Sequence, residues 1–223
     1  PLEARLFDQY DISLALCDRS AAFLKEKTHH TKVIEIPCTL PEGETVKKKY
    51  DSFAILPLAS HTVNFQGYFF FVKHIMPIIL KSYPLFRVRA LGLAAKYFFP
   101  APGIVLRGFV EDLSKEYNTA RMLISPIFSG TGQQLKILDS MKHSLPVVSF
   151  HNPWQFNPTI HNETGFVAHT AEEFAEYCIL LMSDANLAKK MGQRAREVFE
   201  ALYTSERLLP VFEEIHQFAR SKI

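Results

Sequence analysis

Three cysteines in 223 residues, Cys17, Cys38 and Cys178, are too few and too widely spaced to build a disulfide framework. No CxxC or Cys/His spacing accompanies them, so no zinc site is indicated, and a reducing compartment is the expected setting. An excess of charge of either sign is lacking too. Lys+Arg 25 against Asp+Glu 23 leaves a formal charge of +2, without the broad basic field that carries non-specific nucleic-acid binding. Nucleic acid is therefore not an expected partner. Long hydrophobic runs are also missing: the richest stretch, 65–80, is broken by Gln66, Gly67, Lys73, His74 and Pro77, short of the ~20 apolar residues a spanning helix needs. The chain opens on Pro1 and lacks the charged start and apolar run of a signal peptide, and we expect a further region upstream. What is present is 48% hydrophobic, 13% aromatic and 22% charged, a globular profile that excludes disorder and coiled coil.

Short apolar runs alternate with helical periodicity, the pattern of βα units on a parallel sheet. Residues 11–16 (DISLAL) and 32–36 (KVIEI) read as strands around a helix over 19–27. The stretch CTLPEGETVKKKYD, with its turn formers and the lysine run Lys47 to Lys49, reads as an exposed connection. Beyond it, strands are expected at 52–58, 85–91, 104–106, 121–125 and 146–150, with helices over 65–82, 111–118 and 133–143 between them. Thr170 and Glu173 form a capping box for the next helix. The following one carries Leu187, Met191, Ala195, Val198 and Leu202, and a last helix runs over 205–220. Right-handed crossovers make this an α/β fold, a Rossmann-like parallel sheet with helices on both faces. Ligands of such sheets bind beyond the carboxyl ends of the strands. That rule points to the loops after Leu58, Leu106, Ser125 and Phe150.

The loop after Ser125 is the most informative: PIFSGTGQQLKILDSMKHSLPVVSF, a strand end, then Gly130 and Gly132, then a helix. Two glycines let the backbone approach a ligand, and the N–H groups of the first helical turn face the same space. The loop reads as a phosphate or sugar-hydroxyl cradle. Lys136 and Asp139, three residues apart, share a helix face and offer a cation for phosphate and a carboxylate for ribose hydroxyls. Against this stands a plain surface ion pair beside a chance GxG. Neither GxGxxG nor GxxxxGK can be written from these glycines.

The run from Gly108 to Phe150 resembles the C-terminal, donor-binding half of retaining family 4 glycosyltransferases of the GT-B fold. That family shows "GxVxDLxxxYxxAxxxxxP" and then "GxGxxxKxLEAMAxGxPVV". Gly108, Val110, Asp112, Tyr117, Pro126, Gly130, Gly132, Lys136, Met141 and Pro146 fall in register with these patterns. Upstream, SHTVNFQG is similar to the family's "SHxPNxxG" loop, and downstream NETGFVAHTAEEFAE and the stretch Ala195 to Phe199 continue the likeness over roughly residues 50–205. The resemblance implies transfer of a sugar, with retention, from a nucleotide-diphosphate-sugar donor, with no metal and no cofactor other than that substrate. It implies donor contacts at Ser60, His61, Asn64, Gly108, Val110, Glu111, Gly130, Thr131, Gly132, Gln133, Gln134, Lys136 and Asp139. Within that set the base lies near Gly108 to Glu111, the diphosphate on Lys136 and the amides of residues 130–133, and the ribose on Asp139. No catalytic residue is assigned.

Two departures from the family pattern stand out. Many members carry two glutamates eight positions apart where this chain has Thr131 and Asp139, and often an Arg where Gln134 stands. The expected organisation is residues 1–43 as the remnant of an N-terminal α/β domain, 44–50 as a linker, 51–205 as the donor-binding domain and 206–223 as a C-terminal helix. The missing N-terminal domain is an expected partner and would hold the carbohydrate or lipid-linked acceptor. The expected location is cytoplasmic, with the inner face of a membrane as the alternative placement. The rival reading is a non-catalytic nucleotide-sugar-binding or regulatory module on a degenerate GT-B domain. A nucleotide-sugar epimerase is a third reading and fits the motifs less well.

Lesser signals have plain readings. His29 and His30 read as a solvated helix end, and Trp154 as a packing residue beside the donor sugar's expected place. His61 reads equally as a sugar or phosphate contact and as a loop cap. Phe69 to Phe71 read most simply as helix core; a partly exposed apolar face there, or on the N-terminal remnant, would instead mark where the missing domain docks.

Overall fold

The computed structural model describes residues 2–42 and 48–222 and divides the chain into two compact units, 1–42 with 201–223, and 43–200. The first unit opens with α1 (Leu2–Phe7), β1 (Ile12–Ala15), α2 (Asp18–Lys27) and β2 (Lys32–Glu35). β1 and β2 pair in parallel from Ile12↔Lys32 to Ala15↔Glu35. Asp8 accepts the backbone N–H groups of His29 (2.8 Å) and His30 (2.9 Å), so these histidines close the turn through their backbones. Those hydrogen bonds, that from His30 first, hold the Asp8 carboxyl below its ordinary range.

The second unit follows: β3 (Ala54–Pro57), α3 (Thr62–Phe70), α4 (Met76–Ser82), β4 (Val88–Leu91), β5 (Ile104–Gly108), α5 (Leu113–Thr119), β6 (Met122–Ser125), β7 (Gly132–Gln133), α6 (Leu135–Lys142), β8 (Val147–Phe150), β9 (Gln155–Phe156), β10 (Gly165–Ala168), α7 (Ala171–Ser183) and α8 (Ala185–Leu202). The last helix, α9 (Leu209–Arg220), belongs with its 3₁₀ lead-in Ser205–Leu208 to the first unit. There Lys32 pairs with Glu214 at 2.8 Å, and Leu40 bridges Thr204.

Six strands of the second unit form one parallel sheet in the order β10-β8-β6-β3-β4-β5. Every residue of β6 and β8 is buried, as are Ala54, Ile55 and Leu56 of β3, which is why these strands read as unbroken apolar runs. The α/β fold with a parallel sheet flanked by helices is the one expected from the sequence. Tyr68, Phe71, Ile79, Phe86, Met122 and Phe174 are fully buried in its core. Burial of each such side chain contributes about 1.5–3 kcal/mol.

Several local expectations change. The helix expected over 65–82 starts at Thr62 and widens to a π turn over Phe71–Ile75, where the Met76 N–H reaches the Phe71 carbonyl. Pro77 enters the next turn and has no N–H to continue the α pattern, so the wider turn precedes it. The helix expected from 133 begins at Leu135, because Gly132–Gln133 pair with Gln155–Phe156. Strand β10 and the 3₁₀ segment Leu93–Tyr97 had no counterpart in the sequence reading. At α7 the Thr170 side chain accepts the Glu173 N–H (3.1 Å), while the Glu173 carboxylate reaches back to the His169 N–H (2.7 Å), one residue before the cap. Of the charge run Lys47 to Lys49, Lys47 lies outside the described residues, and the Lys49 N–H donates to the Asn118 carbonyl (3.0 Å) within the second unit.

Candidate functional site

The chain builds β3, β4 and β5 outward to one side and then returns to lay β6 against the other side of β3. The loops after β3 and β6 therefore part company at one point of the carboxyl edge, the place where such sheets bind ligands. A cavity of about 570 Å³ opens there, between His61 and Asn64 at the start of α3 on one side and Gly130, Thr131, Gln133 and Lys136, running from the glycine loop into α6, on the other. A second cavity of about 310 Å³ adjoins it through Ala59 and Lys136. Leu58, Gly92, Phe109, Val110 and Leu113 make its wall mostly apolar.

The glycine loop earns its composition. Gly130 and Gly132 both sit at positive φ, +89° and +87°, a conformation that L side chains rarely adopt. A Cβ at Gly130 would also lie 2.9 Å from Val63 Cγ1, so this residue lets the loop close down on α3. Asn152 fixes the same loop from the other side, donating to the Gly130 carbonyl at 3.1 Å. Gly108, at φ +71°, ends β5 with open space where a side chain would be.

Lys136 is the central cation. Its ammonium donates to Asn64 Oδ1 (2.9 Å) and to the Pro57 carbonyl (3.2 Å), and among the described residues no carboxylate pairs with it. Burial pushes its pKa down to about 8, because the charged form has lost water without gaining an anion. Such a group is ready for an anionic ligand. Gln134 does something different from the arginine it replaces in the family pattern. It is buried, accepts from Ser125 Oγ at 2.7 Å and donates to Gln155 Oε1 at 2.9 Å. It thus ties the glycine loop to β6 and β9 and keeps its amide turned inward.

Asp139 lies one turn beyond Lys136 on α6, outside the linings of both cavities. Its carboxylate pairs with Lys142 at 3.2 Å, and His143 Nδ1 meets its backbone carbonyl at 2.7 Å. The His143 ring stacks on Tyr117 at 5.1 Å. Burial lowers the His143 pKa. Ser60 and Glu111 are exposed in loops beside the cavities and contribute to neither lining. Of the other expected donor contacts, His61, Asn64, Gly130, Thr131, Gln133, Gln134 and Lys136 line the larger cavity and Val110 the smaller, whereas Gly108 and Gly132 line neither. The sequence reading missed Gln155 and Gly92, and held Phe109 only as part of the Gly108 to Glu111 loop. Only Gly92 left a signal, a glycine directly after an apolar run. Its φ of +126° and the 2.2 Å that would separate a Cβ from the Leu58 carbonyl explain it.

Among the described residues no three His, Cys, Asp or Glu side chains converge as a metal site would require. Among the same residues no helix is long and apolar enough to cross a membrane.

Two adjoining cavities at the switch point of a doubly wound parallel sheet, with a glycine loop and a half-buried lysine between them, define the class: an α/β domain of Rossmann-like architecture. More narrowly, the chain belongs to the glycosyl transferases group 1 family, whose pattern matches residues 53–184. It is 23% identical over 164 residues to an uncharacterized 44.6 kDa protein in the cps region of Klebsiella pneumoniae, covering 68% of this chain and 42% of that protein. The fold is similar to TarM (TM-score 0.77, 14% identity, 96% of this chain and 45% of that one). It is also similar to the pneumococcal O-GlcNAc transferase GtfA solved with UDP and GlcNAc (0.74, 16%, 98% and 47%). The C-terminal domain of a group 1 glycosyl transferase from Francisella tularensis matches over 70% of this chain and 89% of its own length, at 17% identity and TM-score 0.53. The chain thus spans less than half the length of the first three proteins.

Proposed function

We propose that this chain is the donor-binding half of a retaining glycosyltransferase and that its substrate is a nucleotide-diphosphate sugar. The observation that carries this is the position of Lys136 at the junction of the two cavities, half-buried and, among the described residues, in no ion pair with a carboxylate. A nucleoside diphosphate fits both sides of that junction. Its base enters the apolar slot beside Val110 and Phe109, and its phosphates face the Lys136 ammonium and the amides of residues 130–133. An ammonium has three N–H bonds, and the two donated to Asn64 and Pro57 leave a third for a phosphate oxygen. A cation and backbone amides can stabilise a departing diphosphate with no metal at that point. In the transfer the bond from the sugar's anomeric carbon to the phosphate oxygen breaks, a bond to the acceptor hydroxyl forms, and that hydroxyl's proton is lost.

In this reading Asp139 takes the ribose hydroxyls and gives up its pair with Lys142. An N-terminal domain supplies the acceptor site. The retained anomeric configuration follows the family likeness. GtfA was solved with UDP and GlcNAc, which makes a uridine diphosphate donor the first to try.

Thermal unfolding of the chain across UDP, GDP, ADP and CMP tests the site, because ligand at ~100 times its dissociation constant adds about 2.7 kcal/mol. A shift with one diphosphate that disappears in Asp139→Ala supports the reading. The burial of Gln134 in hydrogen bonds favours the rival, a non-catalytic module, and no stabilisation by any of the four nucleotides would leave either a site that needs the N-terminal domain or a degenerate fold, and would move the weight toward that rival.

A further inference from the structure

A different surface of the same unit carries its own chemistry. The 59 residues from Ser52 to Val110 contain no Asp or Glu, although the chain has 23. The same stretch holds six basic residues: Lys73, Lys81, Arg87, Arg89, Lys96 and Arg107. Arg89 and Arg107 are held by Glu116, at 2.9 and 3.3 Å, whereas none of the ion pairs among the described residues involves Lys73, Lys81 or Lys96.

Large apolar side chains of this acid-free stretch stand out into solvent. The 3₁₀ segment Leu93–Tyr97 anchors itself through buried Ala94 and Ala95, and Phe98, just after it, stacks on Phe65 at 4.4 Å. The residues between and on either side of these anchors are exposed: Leu93 and Phe99 are each 70% exposed and Tyr97 60%. The Phe99 ring meets Phe69 on α3 at 6.1 Å, and the Tyr68 hydroxyl donates to the Phe99 carbonyl. Lys73 follows Phe69 by four residues on the same helical run, and the Lys96 ammonium lies 5.0 Å or less from the Tyr97 ring, at 4.9 Å. The knuckle is thus rigid at its base and presents aromatic rings, leucine and lysines together.

We propose that this knuckle, Leu93, Lys96, Tyr97 and Phe99 with Phe69 and Lys73, docks on an anionic lipid bilayer. Aromatic and aliphatic tips enter the headgroup region while the lysines meet anionic headgroups, the combination found on segments that lie in a membrane interface. Cores of protein–protein interfaces are depleted in lysine, and the missing acids remove the repulsion that an anionic surface would otherwise meet. The segment follows β4 at the carboxyl edge of the sheet, so docking brings the nucleotide cavities toward the lipid surface. The inference is independent of the reading of those cavities.

Flotation of the chain with phosphatidylcholine vesicles, with and without phosphatidylglycerol, tests it. Binding is expected only where phosphatidylglycerol is present and is expected to weaken as salt is raised. Lys73→Glu with Lys96→Glu, and separately Tyr97→Ser with Phe99→Ser, should each lower the partition about tenfold or more. Circular dichroism and nucleotide-induced stabilisation should be unchanged in both variants, since none of these four residues lines a cavity. Absence of binding to the anionic vesicles, or binding that neither pair of substitutions weakens, overturns the proposal. So does self-association in sedimentation that Tyr97→Ser with Phe99→Ser abolishes while vesicles remain unbound, because the patch then meets a second copy.

Discussion

Two lysines of the second unit are partly buried, and their surroundings set the proposed ligand site apart from a structural contact. Lys136 donates to Asn64 and Pro57 and faces two cavities; Lys48 donates to the Tyr117 carbonyl, lies over the Tyr50 ring at 5.0 Å and lines neither. Burial lowers both pKa values, to about 8 and about 7. A depressed pKa alone therefore does not mark function. The cavity beside it does, because only there can an anion enter and restore the charged form.

The largest expected effect separates the two directly. Lys136→Met should weaken nucleoside diphosphate binding on the order of 100-fold, the size of a charge-assisted contact in a buried site, while Lys48→Met leaves it unchanged. Titration calorimetry with UDP reads both, and equal losses in the two variants would dissolve the comparison. In the unsubstituted chain the affinity should also fall as pH rises through about 8, since above it the ligand must restore a proton to Lys136.

Stability should respond next. A lysine whose folded pKa lies below its unfolded value of 10.5 binds fewer protons when native, so stability rises with pH between the two values. For Lys48 the gain from pH 7 to pH 9 is about 2 kcal/mol, and for Lys136 about 1 kcal/mol. Urea unfolding at the two pH values should show Lys48→Met losing the larger share of that rise. An unaltered pH profile would mean that Lys48 keeps its water.

Removing the amide that fastens the glycine loop comes third. Gln134→Ala leaves Ser125 Oγ and Gln155 Oε1 without their partner, which should cost about 1–3 kcal/mol of stability. A loss confined to nucleotide affinity would instead show Gln134 to be a ligand contact. The smallest effect is expected at Gly132, where a Cβ meets nothing within 4 Å and only the φ of +87° opposes a side chain. Gly132→Ala should cost about 1 kcal/mol, and Gly130→Ala more because of Val63.

Much of this architecture could be read from residues alone. Fully buried strands such as Met122–Ser125 and Val147–Phe150 leave unbroken apolar runs, and the glycines after Ser125 have no other reason to stand at a strand-to-helix turn. The parallel sheet, the carboxyl-edge position of the site and the pairing of a glycine loop with Lys136 follow from such local signals and from the handedness of crossovers. Strand β10 escaped because Gly165–Ala168 is short and its glycine reads as a turn former. Pairing with β8 makes it a strand, through contacts remote in sequence.

The same distinction runs through the site. The sequence by itself determined the fold class, the family likeness and the residue types available for phosphate and ribose, because composition and short-range spacing encode them. Only the tertiary structure decided that Lys136 is held by Asn64 and Pro57, and that Gln134 bonds inward to Ser125 and Gln155. Partners 9 to 79 residues apart meet in these contacts, and burial sets their charge states. No local pattern carries that information, because desolvation and hydrogen bonding depend on what the rest of the chain brings alongside.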